Sequence, residues 1–198
     1  SKDFAVPNTS VFLHKVIPMG AGLGGGSADA AFTIKLINQV YQLGLSVAQM
    51  QDYARMLGSD CAFFIESKPV YCHEKGDKFK DISLSLKGKY LVLVYPNIHI
   101  STREAYAGVK PKLLDFDLKN FLETSPLEKW KNVIKNDFET HLFESYSKLK
   151  EIKEYLYNQG AIYTSMSGSG STIYGIFEKK PSQLEFEKSF TIWQETLK

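Results

Sequence analysis

Pro18-Met19-Gly20-Ala21-Gly22-Leu23-Gly24-Gly25-Gly26-Ser27-Ala28-Asp29-Ala30-Ala31 is the most informative stretch of this 198-residue chain, with five glycines in the seven positions from Gly20 to Gly26. Glycine has no Cβ and adopts positive φ without a steric penalty, so successive N–H groups of such a loop can face one anion. Apolar residues follow at helical spacing, and a helix N-terminus adds free N–H groups and the positive end of its dipole. The stretch therefore predicts a phosphate-binding loop that leads into a helix.

Residue types on either side predict the elements that this loop connects. Thr9–Ile17 is rich in β-branched and aromatic residues and ends at Pro18, which predicts a strand. After the loop, Ser27 is predicted to cap the helix and Gly44 to end it. Asp29 would then lie in the first turn, where a carboxylate stabilises the helix dipole.

Three other kinds of glycine-rich segment fit less well. Gly20–Gly25 formally satisfies the GxGxxG pattern of dinucleotide-binding domains, which requires an acidic residue at the end of the next strand, about 20 residues later. That distance leads to Leu45 and Ser46, where a second helix is predicted to begin. A Walker loop is excluded because no Gly-Lys-Ser/Thr follows the glycines. A plain flexible loop is disfavoured because strand, glycines and capped helix all agree.

The rest of the chain predicts an α+β fold in two halves. Ser46 and Gln49 can form a capping box for a second helix, which ends at Gly58. The apolar strand Tyr90–Tyr95 follows a change of pattern and places a domain boundary between residues 1–87 and 88–198. The other predicted elements are strands at Phe63–Ile65, Val70–Cys72, Ala161–Thr164 and Ser171–Phe177, and a last helix around Gln183–Lys188.

Composition excludes several classes of function. The net charge of +2 indicates neither a nucleic-acid-binding nor a membrane surface. No apolar run approaches the roughly 18 residues that would span a bilayer. Cys61 and Cys72 lack metal-ligand spacing and are expected to be small buried residues in a reduced, cytoplasmic protein. Charged residues from Lys148 to Glu154, Lys153 among them, are expected to form a solvated helix face.

Four segments, in order, resemble the GHMP kinase family. The first is the glycine loop, and the second is Leu57-Gly58-Ser59-Asp60 followed by Phe63-Phe64, which resembles the family's catalytic aspartate segment. The third, Pro96-Asn97-Ile98-His99-Ile100-Ser101-Thr102-Arg103-Glu104-Ala105-Tyr106, is similar to its substrate-side loop. The fourth, Ser165–Gly170, is similar to its C-terminal glycine motif, although a tight hairpin alone would also explain it. Together the matches span residues 9 to 177.

The resemblance implies a fold and a reaction. The first half would be a partial ribosomal-S5-domain-2-like nucleotide-binding domain, and the second half would be ferredoxin-like. The reaction would be ATP-dependent phosphorylation of a small molecule, with Mg²⁺ as cofactor. The residues of these four segments are most similar to those of family members that phosphorylate methylerythritol linked to cytidine diphosphate. A homoserine or mevalonate type of kinase, or a non-catalytic nucleotide-binding domain, remains an alternative. Either a monomer or a homodimer is expected.

The resemblance also implies roles for individual residues. Asp60 would accept the proton of the substrate hydroxyl and contact the substrate, and apolar neighbours are expected to desolvate it partly. From position alone, Asp60 could instead cap the turn after Gly58. Thr102 would bind the substrate or, alternatively, cap a helix that begins at Arg103. The expected nucleotide-binding residues are Pro18, Met19, Gly20, Ala21, Gly22, Leu23, Gly24, Gly25, Gly26, Ser27 and Ala28.

Two further expectations concern the metal and the extent of the chain. The Ser27 hydroxyl could contact Mg²⁺ or a phosphate as well as the helix start. Members of the family open with a strand that carries a catalytic lysine, and no segment of this sequence matches that strand. The chain is therefore expected to lack the family's first part and to have little kinase activity by itself.

Overall fold

A computed structural model describes Phe4, residues 6–110 and residues 112–198. The chain divides into two compact units. The first unit contains residues 1–19 and 24–82, and the second contains residues 20–23 and 83–198. The predicted boundary after residue 87 stays a prediction. No helix among the described residues is both long and apolar enough to cross a membrane.

The first unit is mainly helical. Its helices are α1 (Gly25–Val40), α2 (Val47–Leu57) and α3 (Phe63–Glu66), with a 3₁₀ turn at Ser59–Ala62, and its strands are β1 (Val70–His73) and β2 (Lys78–Asp81). The two strands form an antiparallel hairpin. A small core joins α1, α2 and α3 through Ala31, Ala54, Cys61, Ala62 and Ile65.

The sequence prediction for α2 is confirmed in detail. The Ser46 side chain accepts a hydrogen bond from the Gln49 N–H, and the Gln49 side chain accepts one from the Ser46 N–H. This capping box satisfies two backbone donors that the helix itself leaves free. Gly58 ends the helix as predicted.

Three predictions for this unit are wrong. Thr9–Ile17 forms no strand with any described residue, and Phe12 is 96% exposed, because an extended segment becomes a strand only where a partner pairs with its backbone. Phe63–Ile65 is helical, since a short apolar run fits a strand and a buried helix equally well. Helix α1 begins at Gly25 with Gly24 as its N-cap and ends at Val40, so neither Ser27 nor Gly44 terminates it.

The second unit contains a four-stranded antiparallel sheet. Its strands are β3 (Tyr90–Tyr95), β4 (Tyr163–Met166), β5 (Ile173–Phe177) and β6 (Thr191–Thr196), in the order β4-β5-β3-β6. Val92 of the central strand pairs with Gly175 on one side and Gln194 on the other. The helices are α4 (Thr102–Ala107), α5 (Leu118–Thr124), α6 (Trp130–Val133), α7 (Glu139–Ser145) and α8 (Ser147–Asn158).

Helix α8 packs on this sheet and closes the main core. Leu149, Ile152 and Leu156 recur at helical spacing on its buried face and meet Val92 and Ile173 of the sheet. The predicted strand Tyr90–Tyr95 is confirmed, and the α+β class is confirmed for the chain. The predicted helix at Gln183–Lys188 is wrong, and the sequence prediction missed strand β6, which follows that segment.

Candidate active site

The predicted site residues belong to both units. In the second unit, the loop Gly20–Leu23 lies against the turn between β4 and β5. The N–H of Thr172 donates to the carbonyl of Ala21 at 3.1 Å. The Ser167 hydroxyl donates to the carbonyl of Gly22 at 2.7 Å. Two successive carbonyls of the glycine loop are therefore bound by one hairpin.

These two bonds determine where the loop's N–H groups point. In a trans peptide the carbonyl and the N–H point in opposite directions, and the peptides after Ala21 and Gly22 are trans. Because both carbonyls face the hairpin, the N–H groups of Gly22 and Leu23 face away from it. Neither N–H has an acceptor in the part of the chain that the structure describes. Two adjacent free donors on one side of a loop are suited to an anion.

Gly22 is required at this position by geometry. Its φ is +75°, and a Cβ added there would lie 2.2 Å from the carbonyl oxygen of Ser167 and 2.8 Å from that of Gly170. Both contacts are with backbone atoms, which cannot rotate out of the way as a side chain can. Any larger residue would therefore separate the loop from the hairpin.

Within the second unit, the segment Pro96–Tyr106 contacts the same glycine loop. The imidazole of His99 lies over Gly20, since a Cβ added to Gly20 would be 2.6 Å from His99 Nδ1. A few residues later, Ser101 caps α4 by accepting a hydrogen bond from the Glu104 N–H at 3.1 Å. The alternative that Thr102 caps this helix is wrong. Thr102 is the exposed first residue of α4, so its hydroxyl is accessible to a ligand.

In the first unit, helix α1 begins without a side-chain cap. Gly24 is the N-cap in the left-handed conformation, and the first helical bond joins the Ala28 N–H to the Gly24 carbonyl. The N–H groups of Gly25, Gly26 and Ser27 therefore have no helical acceptor. The Ser27 hydroxyl makes no hydrogen bond with the described residues. An uncapped helix start of this kind is a favourable anion site.

An ion pair lies beside this helix start. Lys15 Nζ donates to Asp29 Oδ2 at 2.5 Å and lies 3.5 Å from the point where a Cβ on Gly25 would be. The prediction that Asp29 stabilises the first turn is wrong, because the helix starts at Gly25 and Asp29 is its fifth residue. Asp29 instead neutralises a lysine next to the positive end of the helix dipole.

Asp60 lies in the 3₁₀ turn at Ser59–Ala62 and is exposed, while Cys61 and Ala62 that follow it are buried. The expectation that apolar neighbours desolvate Asp60 is wrong, because these side chains point into the core and the carboxylate points out. Asp60 forms no capping hydrogen bond in this turn. One carboxylate oxygen lies 3.3 Å from the position of a Cβ on Gly76, in the turn between β1 and β2.

The charge of Asp60 acts on Cys72 of β1. Partial desolvation raises the pKa of the Cys72 thiol, and the nearby negative charge of Asp60 raises it further. Cys61 is buried as predicted, but Cys72 is exposed. Cys72 pairs with Phe79, whose ring packs against the core of the first unit, and paired residues share one face of the ribbon, so the thiol is partly covered although the residue as a whole is exposed.

Sequence reasoning missed the residues that hold the hairpin beside the glycine loop. Asn136 and Glu139 bind the backbone of Met166 and Gly168, and Lys153 binds Glu139. Lys153 is therefore wrongly predicted as part of a solvated face. The one local signal was the position of Asn136 and Glu139 directly before and at the start of α7, where polar side chains often bind backbone.

No group of three or more histidine, cysteine, aspartate or glutamate side chains in the described residues could hold a metal ion. Magnesium in phosphoryl-transfer sites is commonly held by one or two protein oxygens together with substrate phosphates, and the Ser27 hydroxyl offers one such oxygen near the start of α1. The donor set fits a cation that arrives with a nucleotide.

The chain matches two family models. The model of the GHMP kinases N terminal domain covers residues 2–68, and the model of the GHMP kinases C terminal region covers residues 118–191. A 4-diphosphocytidyl-2-C-methyl-D-erythritol kinase of Bacteroides fragilis is 47% identical over 96% of this chain and 69% of its own length. The enzyme of the same name from Cytophaga hutchinsonii is 52% identical over 86% of this chain and 63% of its own length.

Solved structures show the same fold. The crystal structure of a 4-(cytidine 5'-diphospho)-2C-methyl-D-erythritol kinase superposes with a TM-score of 0.67 at 28% identity, covering 83% of this chain and 60% of that one. A homoserine kinase from Cytophaga hutchinsonii superposes with a TM-score of 0.59 at 15% identity, over 92% of this chain and 68% of that one. The chain thus spans between 60% and 69% of the length of these proteins.

Proposed function

The chain belongs to the GHMP kinase family, and from this premise we propose that it provides phosphate-binding and proton-accepting residues to an ATP-dependent kinase. The proposed reaction is phosphorylation of the 2-hydroxyl of 4-diphosphocytidyl-2-C-methyl-D-erythritol in non-mevalonate isoprenoid biosynthesis. The named relatives at 47% and 52% identity support this substrate over that of the homoserine kinase, which is only 15% identical.

The observation that carries the proposal is the orientation of two loop peptides. The carbonyls of Ala21 and Gly22 are bound by the hairpin, so the N–H groups of Gly22 and Leu23 are free on the opposite side. Phosphoryl transfer depends mainly on positioning and on fixed positive groups around the phosphates. A loop whose donors are oriented before the ligand arrives meets this requirement.

Each remaining residue has a proposed role in the reaction. Residues 18–28 bind the nucleotide, and the free N–H groups of Gly22 and Leu23 face its phosphates. Asp60 accepts the proton of the attacking hydroxyl, and its exposure leaves the carboxylate accessible to the substrate. Thr102 donates a hydrogen bond to the methylerythritol part of the substrate. Mg²⁺ would be held by Ser27 together with the phosphates and would neutralise charge on the transferred group.

Two coarser expectations accompany this function. The use of ATP and a cytidine nucleotide favours the cytoplasm as the place of action, and we propose that location. A monomer or a homodimer is proposed for the assembly. The non-catalytic alternative predicts a protein that binds ATP and turns over no alcohol.

Substitution of Asp60 tests the proposed chemistry. In the full-length protein, Asp60→Asn should lower kcat by roughly 10²–10⁴-fold because the hydroxyl loses its proton acceptor. ADP release is measured with ATP and Mg²⁺, and with the cytidine substrate, homoserine or mevalonate as acceptor. Affinity for ATP should be unchanged, and Asp115→Asn, at an exposed position of the second unit, serves as the control.

The outcomes separate the possibilities. Turnover of the cytidine substrate alone by the unsubstituted protein supports the proposed reaction. Full activity of Asp60→Asn would place the proton acceptor elsewhere. Binding of ATP without turnover of any of the three alcohols would favour the non-catalytic alternative.

A further inference from the structure

We propose that Asn136 and Glu139 are positioning residues for the phosphate-binding loop. They hold the backbone of the β4–β5 turn, and that turn orients the free N–H groups of Gly22 and Leu23. The proposal deepens the proposed function and rests on it. All of the contacts involved lie within the second unit.

Asn136 and Glu139 bind the backbone of Met166 where a neighbouring strand would otherwise pair with it. Strand β4 lies at the edge of its sheet, so backbone groups on its outer side have no strand to pair with. The Met166 N–H donates to Glu139 Oε1 at 2.8 Å, and Asn136 Nδ2 donates to the Met166 carbonyl at 2.8 Å. One acceptor and one donor thus bind the last residue of the strand from outside the sheet.

Asn136 also extends this hold into the turn. Its Nδ2 makes a second hydrogen bond to the carbonyl of Gly168 at 2.8 Å, and its Oδ1 accepts from the Phe138 N–H at 2.9 Å. The two carbonyls that share Nδ2 flank Ser167. The bond to Phe138 fixes the plane of the amide, so both carbonyls are held at set positions.

Glu139 is a charged group with only 8% of its surface exposed. Its Oε1 also accepts from the Ser165 hydroxyl at 3.2 Å, and its Oε2 accepts from Lys153 Nζ at 2.6 Å. Its position as the first residue of α7 adds the positive end of that helix dipole. A buried carboxylate is costly unless such partners surround it, so its full complement of bonds points to a fixed, specific role.

The bonds form a continuous path to the glycine loop. Asn136 fixes the carbonyls on both sides of Ser167, and the Ser167 hydroxyl donates to the carbonyl of Gly22. That bond keeps the Leu23 N–H turned away from the hairpin. If the turn loosens, the Gly22–Leu23 peptide can rotate and its N–H no longer faces a bound phosphate. Free adenosine carries no phosphate for this N–H to face, so its binding should change little.

Two variants of the full-length protein test the proposal. Asn136→Asp keeps the size of the side chain but removes both donated bonds and places a carboxylate against two carbonyls. Glu139→Gln removes the ion pair with Lys153 that fixes the side chain, so its remaining oxygen is no longer held on the Met166 N–H. Asn132→Asp on α6 and Glu144→Gln on α7 make the same chemical changes at exposed positions and are the matched controls.

The readout compares ligands with and without phosphates. Dissociation constants for ATP and for adenosine are measured for each variant, with KM values for both substrates and the thermal midpoint. We expect the ATP dissociation constant to rise about tenfold or more and kcat to fall, because misplacement by about 1 Å is costly in such sites. Adenosine affinity should stay within twofold.

Other results overturn the proposal. Unchanged ATP affinity in both variants would show that the turn needs no support from these residues. Equal loss of affinity for every ligand, in step with a lower thermal midpoint, would assign them a structural role only. If Asn136→Asp does not fold, Glu139→Gln gives the same comparison. The binding measurements need no turnover, so a failure of the proposed reaction would be recognised separately.

Discussion

At the scale of single residues, Asp60 leaves a measurable effect on its neighbour. The thiol of Cys72 has a raised pKa because its surroundings partly desolvate it and because of the negative charge on Asp60. Only the thiolate reacts with alkylating agents, so a raised pKa slows the reaction near neutral pH. Reactivity of Cys72 therefore reports the charge state of Asp60 without any substrate.

Asp60→Asn should increase the rate of Cys72 alkylation. Removal of the carboxylate charge lowers the thiol pKa and raises the thiolate fraction at a pH of about 8. The rate with iodoacetamide is followed by mass spectrometry of the Cys72 peptide. Cys61 is buried and should remain unmodified in both proteins. An unchanged rate would mean that Asp60 does not act on the thiol in solution.

At the scale of elements, the contact between the glycine loop and the β4–β5 turn allows only glycine at position 22. A matched pair of alanine substitutions separates the two causes, which are the positive φ and the lack of space for a Cβ. Gly22 and Gly88 both have positive φ, at +75° and +85°, but a Cβ on Gly88 would have no atom within 4 Å. Both residues belong to the second unit, which also contains both tryptophans, Trp130 and Trp193.

Gly22→Ala should destabilise the second unit more than Gly88→Ala does. The left-handed backbone costs an alanine about 1–2 kcal/mol at either position. The contact with backbone oxygens adds about 1–3 kcal/mol at Gly22 alone. Urea denaturation followed by tryptophan fluorescence measures both. Equal losses of stability would show that the loop moves away from the hairpin at little cost.

Elements with local signals were predictable from sequence. Helix α2 carries its own capping box and terminal glycine, and both form as predicted. The failures occurred where pairing over a long distance decides the structure. Strand β6 forms because Thr191–Thr196 pairs with β3, about a hundred residues earlier. The local sequence of β6 does not indicate which strand it pairs with. Phe63–Ile65 shows the limit of periodicity, because three apolar residues define no period.

The same distinction applies to the candidate site. The glycine loop was recognisable from sequence because so many glycines rarely occur together except in loops that need their conformational freedom. Asn136 and Glu139 could not be predicted, because their partners are backbone groups about 30 residues away and backbone carries no sequence signal. Lys153 was misjudged for a related reason, since a lysine in a charged helix gives no sign that one buried carboxylate faces it.

At the scale of the whole molecule, buried tyrosines make stability depend on alkaline pH. Burial raises the pKa of Tyr174 and of Tyr163, which pack against each other in the sheet. The folded state therefore keeps these phenols protonated at a pH where the unfolded chain has released its protons. The contribution to stability is complete below the ordinary tyrosine pKa of about 10 and is lost as the pH rises above it.

Tyr174→Phe should flatten this dependence. Between pH 9 and 11, the free energy of unfolding should fall more steeply in the unsubstituted protein than in the variant. One tyrosine accounts for a difference of up to about 1.4 kcal/mol per pH unit. Lysines that titrate in the same range affect both proteins equally, so the difference isolates the tyrosine. Thermal or urea unfolding at each pH gives the two curves. Parallel curves would show that Tyr174 titrates normally.

The assignment of residues 20–23 to the second unit, although residues 19 and 24 belong to the first, constrains how this chain can exchange parts with its relatives. A chimera joined after residue 82 would take Ala21 and Gly22 from one parent and Ser167 and Thr172 from the other. The hydrogen bonds between these residues would then have to form between sequences with separate histories. Because the other partner atoms belong to the backbone, such a chimera depends on two residues, a glycine at position 22 from one parent and the Ser167 hydroxyl from the other.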